Sequence, residues 1–187
     1  MENAENPKRC PWCGTDPLYI AYHDHEWGRP EHDPRRLFEL LILESFQAGL
    51  AWITILRKRE AFRAAFSGFD PEVIATWGEA DIHRLLENPG IVRHRGKIEA
   101  ALRGARAYQR IETAVGFSRF LWSFVDGRTI VNQPLNLADV PAQTPQSRAM
   151  SMALKAEGFG FVGPTITYAF MQASGMVNDH LLSCPSR

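Results

Sequence analysis

Glu44 is the residue that most constrains this chain. It lies in Leu43-Glu44-Ser45-Phe46-Gln47-Ala48-Gly49-Leu50-Ala51-Trp52, late in a segment that opens with Asp33-Pro34. Leu37, Phe38, Leu40 and Leu41 recur there at spacings that form one helical face. An aspartate N-cap followed by proline at the first helical position predicts a helix from about Pro34 to Gln47. On an amphipathic surface helix Glu44 turns to solvent. On a helix sunk into a core it must find hydrogen bonds or keep its proton, because an ionised carboxylate is costly to bury alone. Gly49 stops the helix, and Leu50 and Trp52 follow on a short turn. A carboxylate, a glycine turn, an aliphatic tip and a tryptophan in so short a span describe a pocket with a wedge at its mouth.

The remaining punctuation predicts further helices and almost no sheet. A second helix runs roughly from Trp52 to Phe66, and Asp70-Pro71 and Asp81 start two shorter ones. Asn88-Pro89-Gly90-Ile91-Val92-Arg93-His94-Arg95-Gly96-Lys97-Ile98 is a tight connection into a long helix reaching about Thr113. Residues 117–125 are helical and 126–143 turn-rich. Thr144-Pro145 caps a helix ending at Gly158, and Gly163-Pro164 opens a last one through Gly175. Only Thr129-Ile130-Val131 resembles a strand. Residues 10–28, dense in aromatic and titratable groups without a clear period, read as an ordered irregular arm over the core. Residues 1–9 are polar and expected to fray. The fold class is all-α, and 187 residues that are 45% apolar suffice for a sizeable core.

Net charge is zero, which excludes a histone-like or tail-driven nucleic-acid binder. Residues 93–110 nevertheless hold six basic and one acidic side chain, so a neutral protein can still present a basic face. Three cysteines suit a reducing cytosol better than a disulfide framework. With neither a signal peptide nor an apolar run near eighteen residues, a soluble cytoplasmic protein is expected.

Three constellations could carry chemistry. Two cysteines and two histidines would make a closed, structural tetrahedral zinc site tying the N-terminal arm to the C-terminus. His180-x3-Cys184 has helical ligand spacing and Cys10 precedes His23 by thirteen residues, while Cys10-x2-Cys13 and His23-x-His25 are competing pairs. The glycine turn at Pro89-Gly90-Ile91-Val92, followed by Arg93, Arg95 and Lys97, is what a helix-hairpin-helix needs to bring its backbone to a phosphate. An ordinary helix connection with a solvated basic face would look the same. Tyr19, Tyr22, Trp27 and Trp52 bracket Glu44 and could stack a flipped base, although aromatics are most often core.

Longer motifs narrow these choices. Pro17-Leu18-Tyr19-Ile20-Ala21-Tyr22-His23-Asp24-x-Glu26-Trp27-Gly28, Gln47-Ala48-Gly49-Leu50-x-Trp52-Ile53-Thr54, Ile91-x-Arg93-His94-Arg95-Gly96-Lys97-Ile98, Phe161-Val162-Gly163 and Tyr168-x-Phe170-Met171-Gln172-Ala173-x-Gly175-x-Val177-Asn178-Asp179-His180 resemble the DNA-3-methyladenine glycosylase I family, within the helix-hairpin-helix glycosylase superfamily. The likeness runs from about Cys10 to Cys184.

That resemblance implies one glycosylase domain over residues 1–187 that hydrolyses the N-glycosidic bond of 3-methyladenine by base flipping, without lyase activity. Its structural zinc would be held by Cys10, His23, His180 and Cys184, joining segments 10–30 and 176–187 and leaving Cys13 spare. Glu44 would sit at the base of the pocket, Tyr22 and Trp52 would enclose the base, and Tyr19 and Trp27 would lie nearby. Gly49 and Leu50 would enter the DNA stack. Gly90, Val92, Arg95, Gly96 and Lys97 would form the hairpin's contact with DNA, with Thr165 as a further backbone contact. The implied partner is double-stranded alkylated DNA, the product is free 3-methyladenine, and the protein would be a monomer of the bacterial cytoplasm, associated with the nucleoid through DNA and not with membrane. Two other classes remain on residue grounds: a non-catalytic DNA binder using the same hairpin and zinc, and a zinc hydrolase built on His23, His25 or His32.

Overall fold

A computed structural model describes residues 9–187. The order of its main elements is α1 (Pro17–His25), α2 (Pro34–Gln47), α3 (Trp52–Ala65), α4 (Pro71–Ala75), α5 (Glu79–Glu87), α6 (Arg95–Ala114), α7 (Phe117–Trp122), β1 (Ile130–Val131), α8 (Pro145–Glu157), α9 (Pro164–Ala173) and β2 (Val177–Asn178). The all-α expectation holds. The two strands form one short parallel pair, Ile130 opposite Val177, of which only the first was legible in the sequence.

Helix α2 is the axis of the fold. It packs against α3, α6, α7 and α9, and every residue from Leu41 to Phe46 is buried. That C-terminal half of the helix, covered on all sides, has no solvent face to offer Glu44, which is 3% exposed. Asp33 caps α2 as expected, accepting from the Arg36 N–H at 2.8 Å. The aromatic rings of Phe38, Phe46, Phe62, Phe66, Phe117 and Phe170 fill the spaces around it.

Two expectations need correction. The segment read as an irregular arm contains helix α1, capped by Asp16, whose carboxylate accepts from the Leu18 N–H at 2.9 Å. Its buried residues are Tyr22 and His23, so no aliphatic stripe advertises the helix, although Asp16-Pro17 is the same start signal as Asp33-Pro34. Asp81 does not begin α5 either. Gly78 is the N-cap, and Asp81 sits in the first turn and accepts back from the Gly78 N–H at 3.1 Å. Fraying of residues 1–8 lies outside the described residues, while Arg9 is tied by its Nε to Asp24 at 2.9 Å.

Candidate active site

The C-terminal turn of α2, the start of α3, helix α1 and the C-terminal half of α9 converge on a cavity of about 300 Å³. Its lining includes Tyr19, Tyr22, Trp27, Trp52 and Glu44, so the structure brings together all five residues expected there. The Tyr22 and Trp52 rings lie 5.5 Å apart and tilted by 47°. Trp12, which sequence reasoning missed, packs edge-on to Tyr19 at 5.1 Å and to Trp27 at 4.9 Å. It bonds the aromatic wall together.

Burial pushes the Glu44 carboxyl up to about 8. Its Oε2 has no hydrogen-bond partner, and neither have Gln47 Oε1 and Trp52 Nε1. Those atoms belong to three neighbouring residues of one cavity wall, two acceptors and a donor, all shielded from water. Buried polar atoms are nearly always paired, so a cluster of unpaired ones inside a cavity marks where a ligand's own donors and acceptors belong. Burial, and after it the charge on Glu44, also raises the Tyr19 and Tyr22 phenols, which stay neutral.

The opposite wall is rigid and already satisfied. Asp179 accepts from Tyr168 Oη at 2.6 Å, from Gln172 Nε2 at 2.7 Å and from Asn132 Nδ2 at 2.7 Å. Gln47, Gln172 and Asp179 are lining residues that sequence reasoning gave no role. All three stand inside the quoted motifs, but polar side chains without titratable novelty or metal-ligand spacing give no signal of their own.

Leu50 projects beside the pocket mouth, 42% exposed, on a turn in which Gly49 takes φ +81°. That left-handed conformation suits glycine and would strain other residues. The connection between α5 and α6 is tight: the Gly90 N–H donates to Asn88 Oδ1 at 2.8 Å, and His94 Nδ1 accepts from the Lys97 N–H at 3.2 Å to cap α6. Val92 is half-buried beside the core, Gly96 lies against the His94 ring and the edge of Phe161, and Thr165 is exposed in the first turn of α9.

Of the six basic side chains in 93–110, Arg93, Arg95, Arg103, Arg106 and Arg110 are exposed and Lys97 alone is buried. Lys97 is 5% exposed, and its Nζ donates to the Phe46 carbonyl at 2.8 Å and the Ala48 carbonyl at 2.6 Å. Arg106 reaches the carbonyls of Ala75 and Trp77, and Arg110 that of Glu157. Each of these cations terminates a different helix. Lys97 thus has a task other than the outward-facing charge its motif suggests. Arg95 does face outward, paired with Glu79 at 2.9 Å and Glu99 at 3.4 Å.

At the far side of α1, the ligand atoms of Cys10, His23, His180 and Cys184 lie within 4.8 Å of one another, all buried. Cys184 Sγ is 3.5 Å from His23 Nε2 and 3.5 Å from His180 Nδ1, and Cys10 Sγ is 3.7 Å from His180 Nδ1. A tetrahedral zinc with bonds of about 2.3 Å to sulfur and about 2.0 Å to nitrogen separates such atoms by about 3.5 Å. The outer ring nitrogens are also occupied, His23 Nδ1 by Asp24 at 2.7 Å and His180 Nε2 by the Trp27 carbonyl at 3.1 Å, which leaves the inner nitrogens free to ligate. Cys13 lies outside the group and its Sγ donates to the Cys10 carbonyl at 3.2 Å. His25 and His32 do not join it. The donor set fits a structural zinc, with no position left open among the four.

An all-α protein with an aromatic box closing on a buried carboxylate belongs with proteins that can hold a flat polar ring between aromatic faces. Residues 12–187 match the methyladenine glycosylase family model, and the chain belongs to that family. It is 53% identical over 178 residues to DNA-3-methyladenine glycosylase 1 of Escherichia coli, covering 95% of each protein. A crystal structure of 3-methyladenine DNA glycosylase I superposes with a TM-score of 0.94 at 55% identity, over 95% of this chain and 98% of that one. A further 3-methyladenine DNA glycosylase I, solved in complex with 3-methyladenine, superposes with a TM-score of 0.92 at 43% identity, over 95% of this chain and 96% of that one.

Proposed function

We propose that this protein excises 3-methyladenine from alkylated duplex DNA by hydrolysing its N-glycosidic bond. The observation that carries the reading is the cluster of unpartnered polar atoms, Glu44 Oε2, Gln47 Oε1 and Trp52 Nε1, inside the aromatic cavity. The family relation and the 3-methyladenine complex of a relative support the same substrate.

Methylation at N3 leaves adenine formally cationic, which weakens its bond to deoxyribose and makes it a good leaving group. A cationic ring is drawn to the faces of Trp52 and Tyr22. A positive charge arriving beside Glu44 reverses the balance that keeps it protonated, so the carboxylate forms as the lesion enters and accepts hydrogen bonds from the base. Guanine presents different exocyclic groups there. The α5–α6 connection serves as the helix-hairpin-helix grip on the backbone, and Leu50 fills the gap left by the flipped base. Water completes hydrolysis. No lysine among the described residues lines the cavity, which supports a monofunctional enzyme that leaves the strand intact. A zinc held by Cys10, His23, His180 and Cys184 would fasten the termini and take no part in the chemistry.

The test is incubation of the purified protein with methylated duplex DNA and chromatographic identification of the released bases. Release of 3-methyladenine without strand cleavage is expected. A folded protein that releases no base would instead be a DNA binder, and direct loss of chemistry on metal removal without unfolding would mark a zinc hydrolase.

A further inference from the structure

The wedge turn and the hairpin turn belong to different helix pairs, yet the structure ties them together twice. From the hairpin side, Lys97 in the first turn of α6 sends its ammonium into the end of α2 and holds the carbonyls of Phe46 and Ala48, 51 and 49 residues away in sequence. Ala48 is the residue before Gly49 and Leu50. The Phe161 ring covers the ammonium at 5.6 Å and takes φ +56°, an unusual conformation for a bulky side chain. From the wedge side, α3 begins at Trp52, immediately after the wedge. Its Lys58 reaches out to the carbonyls of Pro89 at 3.0 Å and Gly90 at 3.3 Å, in the hairpin turn. The links run wedge, α3, Lys58, hairpin turn, α6, Lys97 and back to the wedge. This is a closed loop.

We propose that Lys97 and Lys58 act as positioning residues: a two-sided bracket that fixes the wedge turn Ala48-Gly49-Leu50 at a set offset from the hairpin turn Pro89-Gly90. Gripping the DNA backbone with one turn then places the other in the base stack. The inference rests on the excision reading above and adds a coupling between its two DNA-binding parts. It explains why a lysine within a basic DNA-facing motif is buried: its charge is directed at a helix C-terminus, where last-turn carbonyls lack intrahelical partners. It also explains why the hairpin turn presents two carbonyls to Lys58.

The experiment compares Lys97→Met, Lys97→Gln and Lys58→Met with Leu50→Ala in the full-length protein. Thermal unfolding, affinity for undamaged duplex, fluorescence of 2-aminopurine placed beside an abasic-site analogue, and excision rate are read for each. The lysine variants are expected to bind undamaged duplex within about threefold of the unmutated protein, since both ammonium groups are engaged with backbone carbonyls. Their 2-aminopurine response should fall toward that of Leu50→Ala, with excision down at least about tenfold. Lys97→Met combined with Leu50→Ala should be no worse than the poorer single variant, because both remove one placement. A full 2-aminopurine response in folded Lys97→Gln or Lys58→Met overturns the bracket, as do losses that multiply in the double variant. Lys58 lies outside the core, so its variant decides the matter even if a change at Lys97 prevents folding. If the unmutated protein releases 3-methyladenine while the lysine variants behave normally, only the bracket fails. If the unmutated protein neither unstacks nor releases a base, the excision reading fails and takes the bracket with it.

Discussion

Burial holds the Glu44 carboxyl well above its ordinary range, and its Oε2 has no hydrogen-bond partner among the described residues. Its folded-state pKa of about 8 lies above the ordinary 4.5, so between those values the folded protein binds more protons than the unfolded one. The stability present at the acidic end is therefore lost as pH rises through about 8. Glu44→Gln does not titrate, so its melting temperature should gain on that of the unmutated protein from about pH 5 to 8 and then hold level. Differential scanning fluorimetry across that range measures this, and a difference that stays constant with pH would show that Glu44 is ionised in the free protein. In activity, Glu44→Gln should lower excision by about 100-fold or more while leaving affinity for an abasic-site duplex within about threefold. Equal loss of both would remove its base-reading role. The acidity and apolar neighbours of Glu44 were legible in the sequence. That its Oε2 would be left without a donor was not, since that depends on which side chains other helices send toward it.

Helix ends are where sequence and structure part company here. Proline after aspartate or threonine marked the starts of α2, α4 and α8 correctly, because a cap acts on backbone groups two or three residues away. The same signal at Asp16-Pro17 has no aliphatic period behind it and so does not stand out in the sequence. The C-termini of α2, α4 and α8 are closed by Lys97, Arg106 and Arg110 from the single helix α6, across dozens of residues. Part of a basic run in sequence thus became a set of struts between helices, one buried and two on the surface. Gly175 shows the same dependence at the end of α9. It takes φ +69°, and a Cβ there would lie 2.2 Å from the Arg29 carbonyl carbon, in the segment that follows α1. That segment is held to α9 by the Gly28 N–H on the Gln172 carbonyl and the Glu31 N–H on the Ser174 carbonyl, both at 3.0 Å. Gly175→Ala should therefore destabilise the protein by about 3 kcal/mol, combining overpacking with left-handed backbone strain. Chemical denaturation measures it, and a loss below about 1 kcal/mol would show that the arm simply moves aside.

Across the whole molecule, the two ends of the described chain meet at the Cys10, His23, His180 and Cys184 cluster, where few apolar side chains are available. Cys10, Leu181 and Cys184 form only a small buried group with Trp12. A metal there would supply the cohesion that packing does not. Cys184→Ser should eliminate stoichiometric zinc in native mass spectrometry and lower the melting temperature by about 10 °C, with the remaining folded enzyme still active. Cys13→Ser should retain zinc. Full zinc in the Cys184 variant would show that the fourth ligand lies elsewhere, and activity that disappears while the fold survives would give the metal a chemical role.

By itself the sequence determined the helical class, most helix starts, the aromatic set around Glu44 and a cysteine–histidine inventory sufficient for zinc. These are consequences of local backbone chemistry and of residue type, which act over a few positions. Only the tertiary structure decided that the C-terminal half of α2 is buried all round, that Gln47, Gln172, Asp179 and Trp12 complete the cavity, and that Lys97 faces inward. Those outcomes rest on contacts between segments far apart in the chain, where each side chain's task is set by the empty carbonyl, ring face or carboxylate that another helix brings to it.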